Sequence, residues 1–234
     1  EGKVITTSLP NLADAESLFE SILKGGNDIL YLGFSSGLSG TYEGMRTIGT
    51  SLLKRYPERK FVSVDTLAAS VGQGLIVYYA AKMRLEGKSL NEVEQWTRRS
   101  RLNLAHWFTV DDLMFLFRGG RVSRTAAFAG SLLNIKPVLH VDNDGLLIPM
   151  EKTRGRKKSI QALVKHMEET VMQPIENQLI GISHSDCIED VEYLKKLITE
   201  KFGVTEYLVN YVDPVIGAHS GPGTLALFFL ASHR

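Results

Sequence analysis

The sequence predicts an α/β protein of two domains, a parallel-sheet first domain and a mixed-sheet α/β second domain. Three observations predict it. Over residues 1–106 short apolar runs alternate with amphipathic stretches, the pattern of strands joined by crossover helices. Ile29 to Phe34 is a continuous apolar run, as expected of a parallel strand covered on both faces. Over residues 107–234 two strand-like runs flank Asp142-Asn143-Asp144-Gly145, which signals an antiparallel hairpin turning on Asp-Gly.

Taken in order, Lys3 to Thr6 is a short candidate strand ended by Thr7, Ser8 and Pro10. Asn11 and Asp14 can cap a helix whose apolar face is Leu12, Ala15, Leu18, Phe19, Ile22 and Leu23, and Gly25-Gly26 stops it. The strand from Ile29 runs into a loop where Gly33, Gly37 and Gly40 sit among Ser35, Ser36, Ser39 and Thr41. A helix follows from about Ser39 to Leu53, then a strand over Phe61 to Val64 and a helix over Ser70 to Arg84. Ser89 and Glu92 have capping-box spacing for a helix reaching Arg99.

A different region begins with His106 to Thr109. Thr109 or Asp112 can cap a short helix, Leu113 to Phe117, which Gly119-Gly120 interrupts; Arg118, Arg121 and Arg124 crowd around those glycines. Strands over Ile135 to Val141 and Leu146 to Thr153 form the hairpin. Then come a helix (Ser159 to Val171), a strand (Gln178 to Ser183) and a helix (Ile188 to Phe202). Strands are expected over Glu206 to Tyr211, Val215 to Ala218 and Leu225 to Ala231, with His219 to Gly223 as a loop between the last two. The domains are accordingly 1–106 and 107–234.

A chain of 234 residues can bury a sizeable core, and a formal net charge of +1 supplies no general attraction to nucleic acid. The single cysteine, Cys187, leaves no internal disulfide framework and suits a reducing compartment, so a cytoplasmic location is expected. No apolar run reaches membrane-spanning length. The chain opens with Glu1, not Met, which points to processing or to an upstream segment.

The loop after Phe34 is the main candidate site. Glycines let something approach the backbone, and hydroxyls and N–H groups gather where a helix begins. An anionic or polar head group and a well-capped helix start both fit it. Gly33-Phe34-Ser35-Ser36-Gly37 also matches the G-x-S-x-G nucleophile elbow, and Ser35, Asp213 and His219 follow in hydrolase order. Only one candidate strand precedes Ser35, which argues against a stand-alone hydrolase. His219, before Gly221-Pro222-Gly223, is either a surface loop residue or a donor to a carboxylate or phosphate oxygen. Lys152, Arg154, Arg156, Lys157 and Lys158 form a basic cluster. It reads as a solvated helix start, as a dock for a phosphorylated substrate or partner, or as the contact of a regulatory protein with nucleic acid or protein. It lacks interleaved aromatics and a reading helix, so nucleic acid is not expected. The histidines are too scattered for a metal motif, and no nucleotide phosphate loop is present.

A set of short motifs runs along nearly the whole chain. It comprises Thr7-Ser8 with Pro10, Ser35-Ser36-Gly37-Leu38-Ser39-Gly40-Thr41-Tyr42, and Ser70-Val71-Gly72-Gln73-Gly74. Further on come Arg118-Gly119-Gly120-Arg121-Val122-Ser123, Asn134-Ile135-Lys136-Pro137 and Gly217-Ala218-His219-Ser220-Gly221-Pro222-Gly223. Together, and in this order, they resemble the DegV family of bacterial fatty-acid-binding proteins. The resemblance implies two α/β domains with a long-chain fatty acid at the interdomain cleft, its tail buried in one of them. It implies that Thr7, Ser39 and His219 hold the carboxylate, with Ser8 and Ser36 nearby. It implies a lipid-binding subunit without catalytic residues, metal or cofactor. Some members present the bound acid to a separate fatty acid kinase, and the acyl phosphate can then feed phospholipid synthesis; the resemblance implies the same role here. Arg121 and one of Arg154 or Arg156 would contact phosphate or kinase. No transmembrane segment is implied, and a transient membrane contact fits this role. Members of the family begin with a further strand-bearing segment ahead of the Thr-Ser-Pro motif, and this chain starts just before that motif.

Overall fold

A computed structural model describes residues 5–123 and 134–234. The chain builds two α/β units. In the first, β1 (Ile29–Gly33) and β2 (Phe61–Asp65) pair in parallel, Ile29 opposite Phe61 and Gly33 opposite Asp65. The helices α1 (Leu12–Lys24) and α2 (Thr41–Leu52) pack there, burying Phe19, Leu23, Met45 and Leu52 against Ile29 and Phe61. Asn11 caps α1 by accepting from the Ala13 N–H, as its side chain suggests. The helix α3 (Ser70–Leu85) follows, then α4 (Leu90–Ser100) with the complete Ser89–Glu92 capping box.

The second unit is a six-stranded mixed sheet. Its strands are β3 (Leu104–Thr109), β4 (Ile135–Val141), β5 (Leu147–Arg154), β6 (Ile180–His184), β7 (Tyr207–Tyr211) and β8 (Leu225–Leu230). Their order is β5-β4-β3-β8-β6-β7; β6 and β7 are the parallel pair and the other neighbours are antiparallel. The expected hairpin is β4–β5, and its turn is closed by the Gly145 N–H donating to the Asp142 carbonyl. Position 106, the domain boundary read from the sequence, lies inside β3.

Strand alternation explains how this sheet is covered. Ala105 and Trp107 on β3, with Leu225, Leu227 and Phe229 on β8, face α6 (Arg156–Thr170) and α7 (Ile188–Phe202). Leu104, Phe108, Ala226 and Phe228 face the other way, toward Val71, Leu75 and Ile76 of α3 and toward α5 (Leu113–Arg118). Each fully buried Leu or Phe in these layers contributes about 1.5–3 kcal/mol. Thus α3 packs on the second sheet while Gln73 donates to the Leu32 carbonyl of β1, joining the two units.

Three expectations need correction. Val215 to Ala218 is not a strand but part of α8 (Pro214–Ser220), because Asp213 caps it through the Val215 and Ile216 N–H groups and Pro214 occupies its first turn. His219 and Ser220 therefore end a helix instead of lying in a loop. Ile5 and Thr6 are not in a strand; Lys3 and Val4 of that candidate, and Arg124, lie outside the described residues. Finally, α6 begins at Arg156, placing three basic residues in its first turn.

Candidate functional site

The elements above converge on a cavity of about 520 Å3 between the two units. The first unit lines it with Thr7 to Pro10, Phe34, Leu38 to Thr41, Ala69 and Ser70. The second supplies His106 and Phe108 from β3, Leu116 from α5, Val141, Leu147, Ala226 and Phe228 from the sheet, and Val215, Ile216 and His219 from α8. Hydroxyls, two imidazoles and a guanidinium share this lining with a larger number of aliphatic and aromatic side chains. That is the usual build of a small-molecule site.

One polar cluster in the lining centres on His219. Its Nε2 lies 2.8 Å from the Thr7 hydroxyl. Its Nδ1 is buried without a hydrogen-bond partner and faces Gly119, where an added Cβ would sit 2.2 Å away. A buried orphan N–H is costlier than a buried orphan lone pair, so the proton belongs on Nε2. His219 then donates to Thr7, and the Thr7 hydroxyl hydrogen is left to donate onward. Burial, and then the nearby Arg121 guanidinium, push the His219 pKa below the usual histidine value, which keeps the ring neutral at pH 7.

Arg121 reaches from the loop after α5 across to the first unit. Its Nε and Nη2 donate to the Leu38 carbonyl at 3.2 and 3.0 Å, and its Nη1 donates to the Gly119 carbonyl. The guanidinium therefore straps the β1–α2 loop to the second unit while lining the cavity. Ser39 pairs with Thr41 (2.9 Å) and accepts from the Thr41 N–H, at the start of α2.

Of the residues singled out in the sequence, Thr7, Ser8, Ser39, Arg121 and His219 come together at the cavity. Ser36 does not; it is exposed, and its N–H donates to Asp65 Oδ1. Arg154 is exposed at the end of β5, away from the lining. Arg156 is largely buried, 2.8 Å from Asp190 and 3.8 Å from Asp111, which also pairs with Lys136. Ser35 is fully buried and donates to the Gly145 carbonyl (2.8 Å) while accepting from the Gly37 N–H. It fastens the loop to the β4–β5 turn, and among the described residues no imidazole hydrogen-bonds to it to act as base.

The sequence missed His106, Ser70, Ser183 and Ser220 as lining residues. His106 is buried; its Nε2 accepts from the Ala69 N–H, so Nδ1 carries the proton and donates to the Leu104 carbonyl. Both ring nitrogens are engaged, so His106 is a clamp beside the cavity and not a ligand donor. Its signal was strand alternation, which puts it on the face of Leu104 and Phe108. Ser70 bonds Ser183 across the units (3.0 Å). Among the described residues no His/Cys/Asp/Glu group could hold a metal, and no helix is long and apolar enough to cross a membrane.

Fold and site together define a two-unit α/β protein with an amphipathic cavity between its parts. A family model described as "Uncharacterised protein, DegV family" matches residues 1–232, and the chain belongs to the DegV family. A DegV domain-containing protein of Clostridium perfringens is 48% identical over 234 residues, spanning 100% of this chain and 80% of that protein. The solved structure of a DegV family protein from Thermus thermophilus, described by its fatty acid binding, is similar at a TM-score of 0.85 and 31% identity, covering 97% of this chain and 79% of that one. A DegV lipid-binding protein from Thermotoga maritima superposes at a TM-score of 0.85 and 29% identity, covering 100% and 80% of the respective chains.

Proposed function

We propose that this protein binds one long-chain fatty acid in the cavity between its units. The observation that carries the reading is the amphipathic lining: the Thr7 hydroxyl, His219 imidazole and Arg121 guanidinium cluster in a cavity lined mostly by apolar side chains. The carboxylate sits by Thr7, Ser39 and His219, with Ser8 at the rim and Arg121 as the nearest cation. The tail runs along Phe108, Leu116, Val141, Leu147 and Phe228, where each methylene removed from water adds about 0.8 kcal/mol. The fatty-acid-binding descriptions of the Thermus and Thermotoga structures support the same ligand class.

The protein would serve as a carrier in the cytoplasm, presenting the carboxylate to a separate kinase for acyl-phosphate formation and phospholipid synthesis. Arg154, exposed near the first turn of α6, is a surface contact for that partner. Arg121 is placed to meet a phosphoryl group on the carboxylate. Arg156 is held by Asp190 and Asp111, so its share in a partner contact would be made through that network.

Organic extraction of purified protein followed by mass analysis tests the reading. About one acyl chain per protein molecule is expected. No acyl species on extraction, together with no uptake of added fatty acid, would overturn it.

A further inference from the structure

A second cavity, of about 400 Å3, shares a wall with the first. Phe34, Val215 and Ile216 form the bulky part of that wall; Ser39, Thr41 and Ser70 form a strip of hydroxyls. The far side is built differently from the acyl cavity. Gln73, Asn210, Tyr211 and Asp213 line it, and among its described lining residues the one charged group is Asp213.

The hydrogen-bonding capacity there is mixed. Asp213 uses Oδ1 to cap α8, which leaves Oδ2 as an acceptor. Asn210 uses its carbonyl oxygen on the Tyr211 N–H, which leaves the amide NH2 as a donor. Gln73 gives one amide hydrogen to Leu32 and keeps its carbonyl oxygen. Ser39 and Thr41 bond each other, so the pair retains one hydroxyl hydrogen. Tyr211, 66% exposed, holds its ring at the cavity edge and packs on His184 at 4.5 Å. A carboxylate and amides set to receive and give hydrogen bonds, beside an exposed aromatic face, match neighbouring hydroxyls, each of which both donates and accepts. An anion would meet Asp213 with no cation among the described lining residues to offset it.

We propose that this second cavity seats an uncharged polyhydroxyl group, namely the glycerol of a monoacylglycerol whose acyl chain lies in the first cavity. The ester would cross the wall at Ser39, Thr41 and Ser70, the small side chains, and not at Phe34. The inference rests on the acyl-binding reading above and extends its ligand class from the free acid to a neutral polyol ester.

Titration calorimetry with myristic acid, methyl myristate and 1-monomyristoylglycerol tests it. The glycerol ester should bind at least about fivefold tighter than the methyl ester, the worth of one net hydrogen bond. Asn210→Ala and Tyr211→Ala should each remove most of that advantage while leaving the free acid within about twofold. Acid binding with no preference for glycerol ester over methyl ester would overturn this inference and leave the fatty-acid reading standing. Equal weakening of all three ligands by Asn210→Ala would overturn it too. Failure of all three to bind would overturn both readings.

Discussion

Replacing Gly119 by alanine isolates the contribution of His219's position without deleting the imidazole. Gly119 has φ −72° and ψ −11°, a conformation alanine adopts freely, so the backbone carries no penalty. The new methyl would stand 2.2 Å from His219 Nδ1, 3.0 Å from Cγ and 3.2 Å from Cε1, where ordinary contact begins at 3.4 Å. Thr7 holds the other ring nitrogen at 2.8 Å, so the imidazole is caught between the two and must turn out of place. Overpacking of this kind costs about 1–3 kcal/mol of stability. With Thr7 no longer oriented, a carboxylate donor is weakened, and affinity for a fatty acid should fall roughly five- to a hundredfold. Denaturant unfolding and titration calorimetry on Gly119→Ala, His219→Ala and the double variant measure both effects. In the His219→Ala background the ring is gone, so Gly119→Ala should change stability by less than about 0.5 kcal/mol. An equal stability loss in both backgrounds would refute the clash. Unchanged affinity in Gly119→Ala would refute the Thr7–His219 head-group site.

Four further outcomes are expected. Ser35 should resist a fluorophosphonate probe, and Ser35→Ala should cost about 1–3 kcal/mol in unfolding experiments because it strands the buried Gly145 carbonyl; stoichiometric labelling would restore the hydrolase. Arg154→Ala should leave fatty-acid affinity intact and slow phosphorylation of the bound lipid by a partner kinase, whereas equal turnover would remove the contact. His219→Ala should weaken a free acid clearly more than its methyl ester, by calorimetry; equal weakening would make His219 a structural residue. Burial holds the His106 pKa well below 6.5, so the unfolded chain takes the proton first as pH falls. The stability His106 contributes is complete above about pH 6.5 and is lost on acidification toward the folded-state value, with a slope of up to about 1.4 kcal/mol per pH unit. His106→Gln should flatten that slope in pH-dependent unfolding.

Most of the fold was legible because its signals are local. The Ser89–Glu92 box, the Asp112 cap and the Asp142–Gly145 turn each specify a backbone event within a few residues. What failed was decided by tertiary contact or by a signal too short for periodicity. Val-Ile-Gly-Ala carries β-favouring residues, yet the Asp213 cap and Pro214 commit it to a helix. Basic residues at Arg156, Lys157 and Lys158 oppose the dipole at a helix start, which hides the true beginning of α6. The pairing of Arg156 with Asp190 in the first turn of α7 is a long-range contact that sequence spacing does not show. At the site, the hydroxyl-rich loop and His219 were readable as residue types. That Ser36 turns outward while Ser35 turns inward to Gly145 depends on where the second unit's hairpin lands. Arg121 had no local signal for its Leu38 contact, since donor and acceptor lie in different units.

For the proposed fatty-acid site, the position of Arg121 also accounts for how a neutral histidine can serve an anionic head group. A carboxylate leaving water needs donors, and a charge in reach makes those bonds stronger. The positive charge that would protonate and strengthen His219 is instead carried by Arg121, and the same guanidinium helps keep the imidazole neutral. In the proposed site the two residues would have separate roles. Arg121 would supply the field, while His219 would fix the direction in which the Thr7 hydroxyl donates. Because Arg121 already donates to the Leu38 carbonyl, an incoming carboxylate shares or displaces that strap. On the proposed function, head-group binding would thereby be coupled to the hold between the units. An apolar ester, which does not compete for the guanidinium, leaves the strap in place. Acid and ester should therefore differ in how they alter amide hydrogen exchange in the Ser35–Thr41 loop, with the acid changing Leu38 and its neighbours and the ester leaving them as in the free protein. Identical exchange with both ligands would show that the strap and the head group are independent.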